Sequence, residues 1–390
     1  MKILPFSTET FFKKAVNVAE CYGFSNVDDL RKKATAKGTT LLGLQKHKSE
    51  HEEFAHHVLA DVFKHYSSSC DLKQKKPLMF YTPSTVSPAS TPSVRISALT
   101  LNTVGTNDPL AEIVLLKSAT SILRELGIKK FSLRINSIGD SDSSVRFLRE
   151  ATLRIRNRMH ELPVELSNSM RANPGAVFAQ LYSEKHPLAE ELPSPIEYLT
   201  TPSRKYFKEV LELLGNADIP FELSDKLYAN PNIYSHTIFE IVEINENEAM
   251  PPTVLARGGR YDELTRPYVR GTLPSTGIVI AMRTNDKNSK FGRPRRRKAN
   301  ACLVHIGKEA RIRSINIIET FRARKIPIEQ CLYFERFSEQ MAYAEAQHTK
   351  YILIIGQQEA RDNVVLMRNT NDHSQQTVSI DRLPELLGMK

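Results

Sequence analysis

The stretch NDKNSKFGRPRRRKAN, residues 285 to 300, divides the chain. It is polar, holds Gly292 and Pro294, and gathers Arg293, Arg295, Arg296, Arg297 and Lys298 almost side by side. No hydrophobic core can run through such a segment. The expected division is therefore one unit over residues 1–284, a basic linker over 285–299 and a second unit over 300–390. At 390 residues the chain is too long for a single ordinary core and suits this division. Beyond the linker, apolar runs alternate with helical patterns: ACLVHIG, KEARIRSINIIETFRARK, PIEQCLYF, SEQMAYAEAQHTK, YILIIGQQE, NVVLMRN and QTVSIDRL. That alternation predicts a small three-layer α/β domain with a largely parallel sheet.

Before the linker the signals are mixed. Residues 6–22 and 48–66 carry apolar residues at helical spacing. Residues 82–93, TPSTVSPASTPS, carry no charge and predict an exposed Pro/Ser/Thr loop. RISALTLNTVG alternates like a strand. DPLAEIVLLKSATSILRELGI predicts a strong helix, with Asp108 as cap, Pro109 at the first position and Gly127 past the end. KKFSLRINSIG predicts a strand, SRKYFKEVLELLG a helix, FELSDKLYANPNIYSHTIFEIVEI a strand, turn and strand, and PPTVLARGG a strand ending in a glycine pair.

Charge and cysteine usage narrow the function classes. The formal net charge of +10 suits a polyanionic partner, because neutralised phosphates release counterions; simple solubility charge is the bland reading. Cys21, Cys70, Cys302 and Cys331 are scattered with no CxxC, which fits a reducing, cytosolic compartment and neither a disulfide framework nor a zinc site. His51, His56, His57 and His65 do not share the i, i+4 face a metal pair needs, so no metal is expected. No apolar run approaches the ~18–20 residues of a membrane helix. MKILPFSTETFFKK lacks the apolar core and cleavage site of a secretory leader.

The string GGRYDEL, residues 258–264, matches a signature of the histidyl-tRNA synthetases, a class II aminoacyl-tRNA synthetase family. VGTNDPLAEIVLLKSATSILRELGIKKFSLRINSIGD resembles that family's segment after its motif 2. SPIEYLTTPSRKYFKEVLELLGNADIPFEL resembles the segment before its first histidine signature, and the last ninety or so residues resemble its anticodon-binding domain. The order of these segments makes the resemblance specific. It implies an α+β class II core, an antiparallel sheet with flanking helices, carrying a helical insertion over about 140–200. It also implies a C-terminal α/β anticodon-binding-type domain, a dimer and contact with tRNA.

The resemblance also shows what is missing. Activating an amino acid with ATP calls for fixed arginines that hold phosphate and stabilise developing charge. The family's motif 2 arginines fall in the uncharged stretch TPSTVSPASTPS. Its glutamine falls on Ala98, a glutamate on Asn102, and only Arg95 is charged there. The catalytic arginine of the first histidine signature falls on Ala229, its glycine on Asn230, and its tyrosine pair on Ile233 and Tyr234. In motif 3 a glycine falls on Ala281, the glutamate on Arg283 and the arginine on Thr284.

The resulting expectation is a synthetase-like protein with dismantled catalysis that binds tRNA or another RNA, or pairs with itself or with a synthetase. No catalytic residue is assigned and no cofactor is expected. Ligand-binding candidates are Tyr234, Arg257, Gly258, Gly259, Arg260, Tyr261 and Asp262; the bland alternative has Arg260 and Asp262 pairing with each other or with neighbours and Tyr261 packing. tRNA-binding candidates are Arg293, Arg295, Arg296, Arg297 and Lys298, with Arg311 and Arg322, and also Arg313 and Arg324, on the following helix. One alternative is an active, divergent histidine–tRNA ligase using ATP and magnesium, which needs replacement arginines such as Arg204, Arg257 and Arg283. The other is a regulatory subunit of a histidine-related enzyme, against which the presence of residues 300–390 counts.

Overall fold

Two sheets organise the chain. The computed structural model describes residues 7–29, 77–86, 95–244, 252–266, 272–284, 298–334 and 336–388. The helical pattern at 48–66, its histidines, and Arg293, Arg295, Arg296 and Arg297 lie outside them.

In chain order the first part comprises α1 (Thr8–Cys21), β1 (Ser25–Asn26), β2 (Leu78–Val86), β3 (Arg95–Val104), α2 (Leu110–Glu125), β4 (Phe131–Gly139), α3 (Ser141–Ile155), α4 (Val164–Ser169), α5 (Pro174–Ser183), α6 (Thr201–Asn216), β5 (Phe221–Leu223), β6 (Ser235–Glu243), β7 (Val254–Arg260), α7 (Asp262–Thr265) and β8 (Ser275–Thr284). The strands form one eight-stranded sheet in the order β1-β2-β3-β8-β7-β6-β4-β5. Its interior pairs are antiparallel, and the two outermost pairs, β1 with β2 and β4 with β5, are parallel.

Local chemistry sets the boundaries. α1 is capped by Ser7, whose Oγ accepts the Thr10 N–H at 3.2 Å, and the chain leaves it through Gly23 at φ +91°. α2 starts one residue later than the sequence predicts: Pro109 takes the cap position and Asp108 Oδ1 accepts the Leu110 N–H at 2.9 Å. Gly215 does not stop α6, which runs on to Asn216. The stretch predicted as a loop from residue 82 is strand as far as Val86, with Thr82, Pro83, Ser84 and Thr85 in register against β3. Among the described residues β1 pairs only with Phe80 and Tyr81, so no strand there pairs with Pro83 on that side, where its missing N–H costs no ladder bond.

α3, α4 and α5 carry a small core of their own, with Phe147, Phe178, Leu181 and Tyr228 at its centre. The rings of Phe147 and Tyr228 lie 4.9 Å apart.

After residue 298 come β9 (Ala301–His305), α8 (Lys308–Ala323), β10 (Glu329–Gln330), α9 (Phe337–Ala346), β11 (Tyr351–Ile355), α10 (Gln357–Arg361), β12 (Val364–Asn369), β13 (Gln375–Ser379) and α11 (Leu383–Gly388). Their sheet has the order β10-β9-β11-β12-β13. It is mixed rather than largely parallel: β9 pairs parallel with β10 and β11, while β11–β12 and β12–β13 are antiparallel. The turn at 370–374 is too short for the crossover a parallel pair needs, which forces the last pair antiparallel.

Candidate functional site

The glycine pair of GGRYDEL sits where β7 is squeezed between β6 and β8. A Cβ on Gly258 would stand 2.1 Å from the Gly277 carbonyl oxygen, and one on Gly259 would stand 2.6 Å from the Thr237 carbonyl oxygen. These glycines serve close strand packing. Arg260 ends the strand and turns inward. Its Nε donates to Glu112 Oε1 at 3.1 Å, its Nη2 to Glu112 Oε2 at 3.4 Å, and its Nη1 to Asp262 Oδ1 at 3.4 Å. The guanidinium also reaches the Thr106 carbonyl and lies 5.2 Å over the Tyr206 ring. Arg260 and Glu112 are 1% and 0% exposed, so this charge pair is wholly internal.

Glu112 is saturated. Besides Arg260 it accepts from Tyr206 Oη at 2.7 Å and Thr237 Oγ1 at 3.1 Å. Burial works against the Arg260 charge, but Glu112, Tyr206 and Asp262 outweigh it and hold the guanidinium pKa above its usual value. Burial and the Glu112 charge raise the Tyr206 phenol well above its usual range. Tyr261 packs inward and donates to Asn102 Oδ1 at 2.8 Å. Arg260 and Asp262 therefore pair with each other and with neighbours, and Tyr261 is buried.

Beside this core opens a cleft of about 420 Å³, lined by Asn107, Asp140, Ser141, Ser235, His236, Asp262, Glu263, Arg266, Thr272 and Pro274. Asp262 anchors its floor: Oδ1 accepts the Ser275 N–H at 2.7 Å, and burial raises its carboxyl pKa. Asp140 caps α3. Burial alone would raise its pKa, but bonds from Thr200, Ser143 and Ser203 reverse this and hold it at about 2. His236 has φ +51° and sits where β6 slips register against both β4 and β7. Such irregularities re-aim a side chain. Its ring lies 5.2 Å from that of Tyr206, Nδ1 has no hydrogen-bond partner among the described residues, and burial lowers its pKa.

Of the sequence candidates among the described residues, only Asp262 lines the cleft. Tyr234 is half-buried, with Cδ1 3.1 Å from the point a Cβ on Gly259 would occupy. Arg257 turns away and donates to Glu240 Oε2 at 3.1 Å. Arg204 and Arg283 are exposed, and neither they nor Arg257 line the cleft. Ala229 is half-buried. Thr284 is buried in a triangle of hydroxyls, 2.7 Å from Thr8 Oγ1 and 3.0 Å from Ser97 Oγ.

Arg311 and Arg322 do not face outward as a tRNA contact requires. Arg311 pairs with Asp108 of the first part and donates to the Leu332 carbonyl at 2.6 Å. Arg322 pairs with Glu319 at 2.7 Å and with Glu125 at 3.6 Å. Tyr22 Oη donates to the same Glu319. These polar pairs join α8 to α1 and α2, because one helix face has to satisfy carboxylates on both sides. Arg313 donates to Asn363, Arg324 is exposed, and Lys298 is exposed.

Asp140, His236, Asn107 and Arg266 escaped notice in the sequence. The available signals were INSIGD, whose aspartate precedes a helix, and SHTIFEI, whose histidine opens a strand. Neither string says that the two residues meet. Among the described residues, no group of three or more His, Cys, Asp or Glu could hold a metal ion, and no helix is long and apolar enough to cross a membrane.

Residues 301–389 match the anticodon binding domain family. The histidine–tRNA ligase of Bacillus licheniformis is 28% identical over 287 residues, covering 72% of this chain and 67% of that protein. The histidine–tRNA ligase of Bacillus velezensis is 26% identical over 290 residues, covering 74% of this chain and 68% of that protein. The solved structure of apo S. aureus histidyl-tRNA synthetase has 17% sequence identity and a TM-score of 0.48, covering 93% of this chain and 95% of that one. The chain is thus similar to histidine–tRNA ligases over about three quarters of its length, and its smaller domain matches the anticodon binding domain family.

Proposed function

We propose that this chain is a cytoplasmic, non-catalytic member of the family that binds tRNA. One observation carries the reading: among the described lining residues the cleft's one guanidinium, Arg266, is already paired with Glu263 at 2.8 Å and Asp262 is paired with Arg260 at 3.4 Å, which leaves the Asp140 carboxylate and no cation to meet a phosphate. A triphosphate carries the same sign of charge as such a lining and is repelled. The positions where the family places arginines, Ala229 and Thr284, supply no cation, and Arg260 is tied to Glu112. Each missing preorganised charge contact costs roughly 3–4 kcal/mol of transition-state stabilisation. The role needs neither ATP nor magnesium.

The domain at 301–389 and the net charge of +10 support tRNA as the partner. Its contacts then come from Lys298 and the basic run before it rather than from Arg311 or Arg322. Pairing with itself or with an active synthetase is compatible with this role. Histidine-dependent ATP–pyrophosphate exchange, with an active histidyl-tRNA synthetase as control, is expected to stay at background. Exchange well above background overturns the non-catalytic reading. Salt-dependent binding to tRNA is expected, and folded protein without it removes the RNA role.

A further inference from the structure

Cys302 and Cys331 are 29 residues apart, and the fold brings their Sγ atoms to 3.8 Å. Cys302 lies on β9, paired with Glu329 of β10; Cys331 directly follows β10 and donates its N–H to the Leu303 carbonyl at 3.2 Å. Both thiols are buried in one apolar cluster with Val304, Ala344 and Ile352. Nothing in the tRNA role uses them. The Sγ atoms stand near van der Waals contact, and a bond needs them to close from 3.8 Å to about 2.05 Å.

We infer that Cys302 and Cys331 form a redox-responsive dithiol that a low-molecular-weight disulfide converts to an intramolecular disulfide. β10 has only two residues, and its local opening, which breaks the bond from Gln330 Nε2 to the Tyr22 carbonyl at 3.2 Å, exposes Cys331. Its thiolate attacks one sulfur of the oxidant and expels the first small thiol, leaving a mixed disulfide. The Cys302 thiolate then attacks the Cys331 sulfur and expels the second. Two protein thiols become one disulfide, and their two electrons leave on two small thiols. The bond staples β9 to the segment that docks on the first part of the chain, where the Leu332 carbonyl receives Arg311 and Arg311 pairs with Asp108. Closing this loop lowers the entropy of the unfolded chain.

The test treats the full-length native protein with oxidised glutathione. Intact mass is expected to fall by two hydrogens, and peptide mapping to join Cys302 to Cys331. Tm is expected to rise by several degrees and to return with dithiothreitol. In Cys302→Ala, Cys331 is expected to stop as a stable glutathione adduct. Two outcomes overturn the proposal: both thiols remaining reduced in the wild-type protein after Cys21 is fully modified, or a disulfide mapping to any other pair. The wild-type mapping decides even if the variant folds poorly.

Discussion

Arg260 Nε donates to Glu112 Oε1 at 3.1 Å in a place that water does not reach. The pair closes β7 onto α2 and takes up the arginine of the family signature. Removing one partner leaves the other charge buried alone. Glu112→Ala is expected to cost about 3–5 kcal/mol, read by chemical denaturation, whereas Glu112→Leu with Arg260→Met is expected to cost less than the sum of the single changes. Additive losses would mean that the two residues act separately.

The resemblance places Thr284 at a position where the family carries an arginine. Thr284→Ala removes bonds to Thr8 and Ser97 and is expected to lower stability by about 1–2 kcal/mol. Thr284→Arg places a charge in that buried hydroxyl triangle. It is expected to cost about 3 kcal/mol or more and to give no ATP–pyrophosphate exchange. Exchange gained by this single change would show that the remaining pocket is still competent.

Asp140 accepts from Ser143 N at 2.9 Å and from Thr200 Oγ1 at 2.6 Å. Its folded pKa of about 2 lies below the unfolded value of about 3.9. The carboxylate therefore contributes fully above about pH 4, and the contribution is lost as pH falls towards 2. Asp140→Ala is expected to cost about 1–2 kcal/mol at pH 7 and nearly nothing at pH 2. Denaturation at several pH values measures this; an equal loss at both ends would remove the charge from the explanation.

Gly258 and Gly127 separate two uses of glycine. A Cβ on Gly258 would meet backbone at 2.1 Å on one side and the Phe239 ring at 2.7 Å on the other. Gly127 has φ +83° and open space around it. Gly127→Ala is expected to cost about 1–2 kcal/mol, from conformation alone. Gly258→Ala is expected to cost more than the ~1–3 kcal/mol of ordinary overpacking, because the clash is with backbone. Comparable Tm losses for both would contradict the strand-packing role.

Much of this was legible in local sequence. The strand at RISALTLNTVG and the capped helix after Asp108 depend on neighbours a few residues apart, and so does the resemblance carried by GGRYDEL. The resemblance also implies which of the family's arginines are replaced. It could not show where the remaining ones point. Arg311 and Arg322 read as a basic helix face until the fold set Asp108, Glu125 and Glu319 against them. Asp140 and His236 became one cleft only through a bulged pairing of β4 with β6. Cys302 and Cys331, scattered in the chain, became neighbours only when β10 added to the edge of β9. Propensity, capping and charge are local and are written in the chain. Convergence of side chains across strands depends on register and packing, and those are decided only when the whole sheet closes.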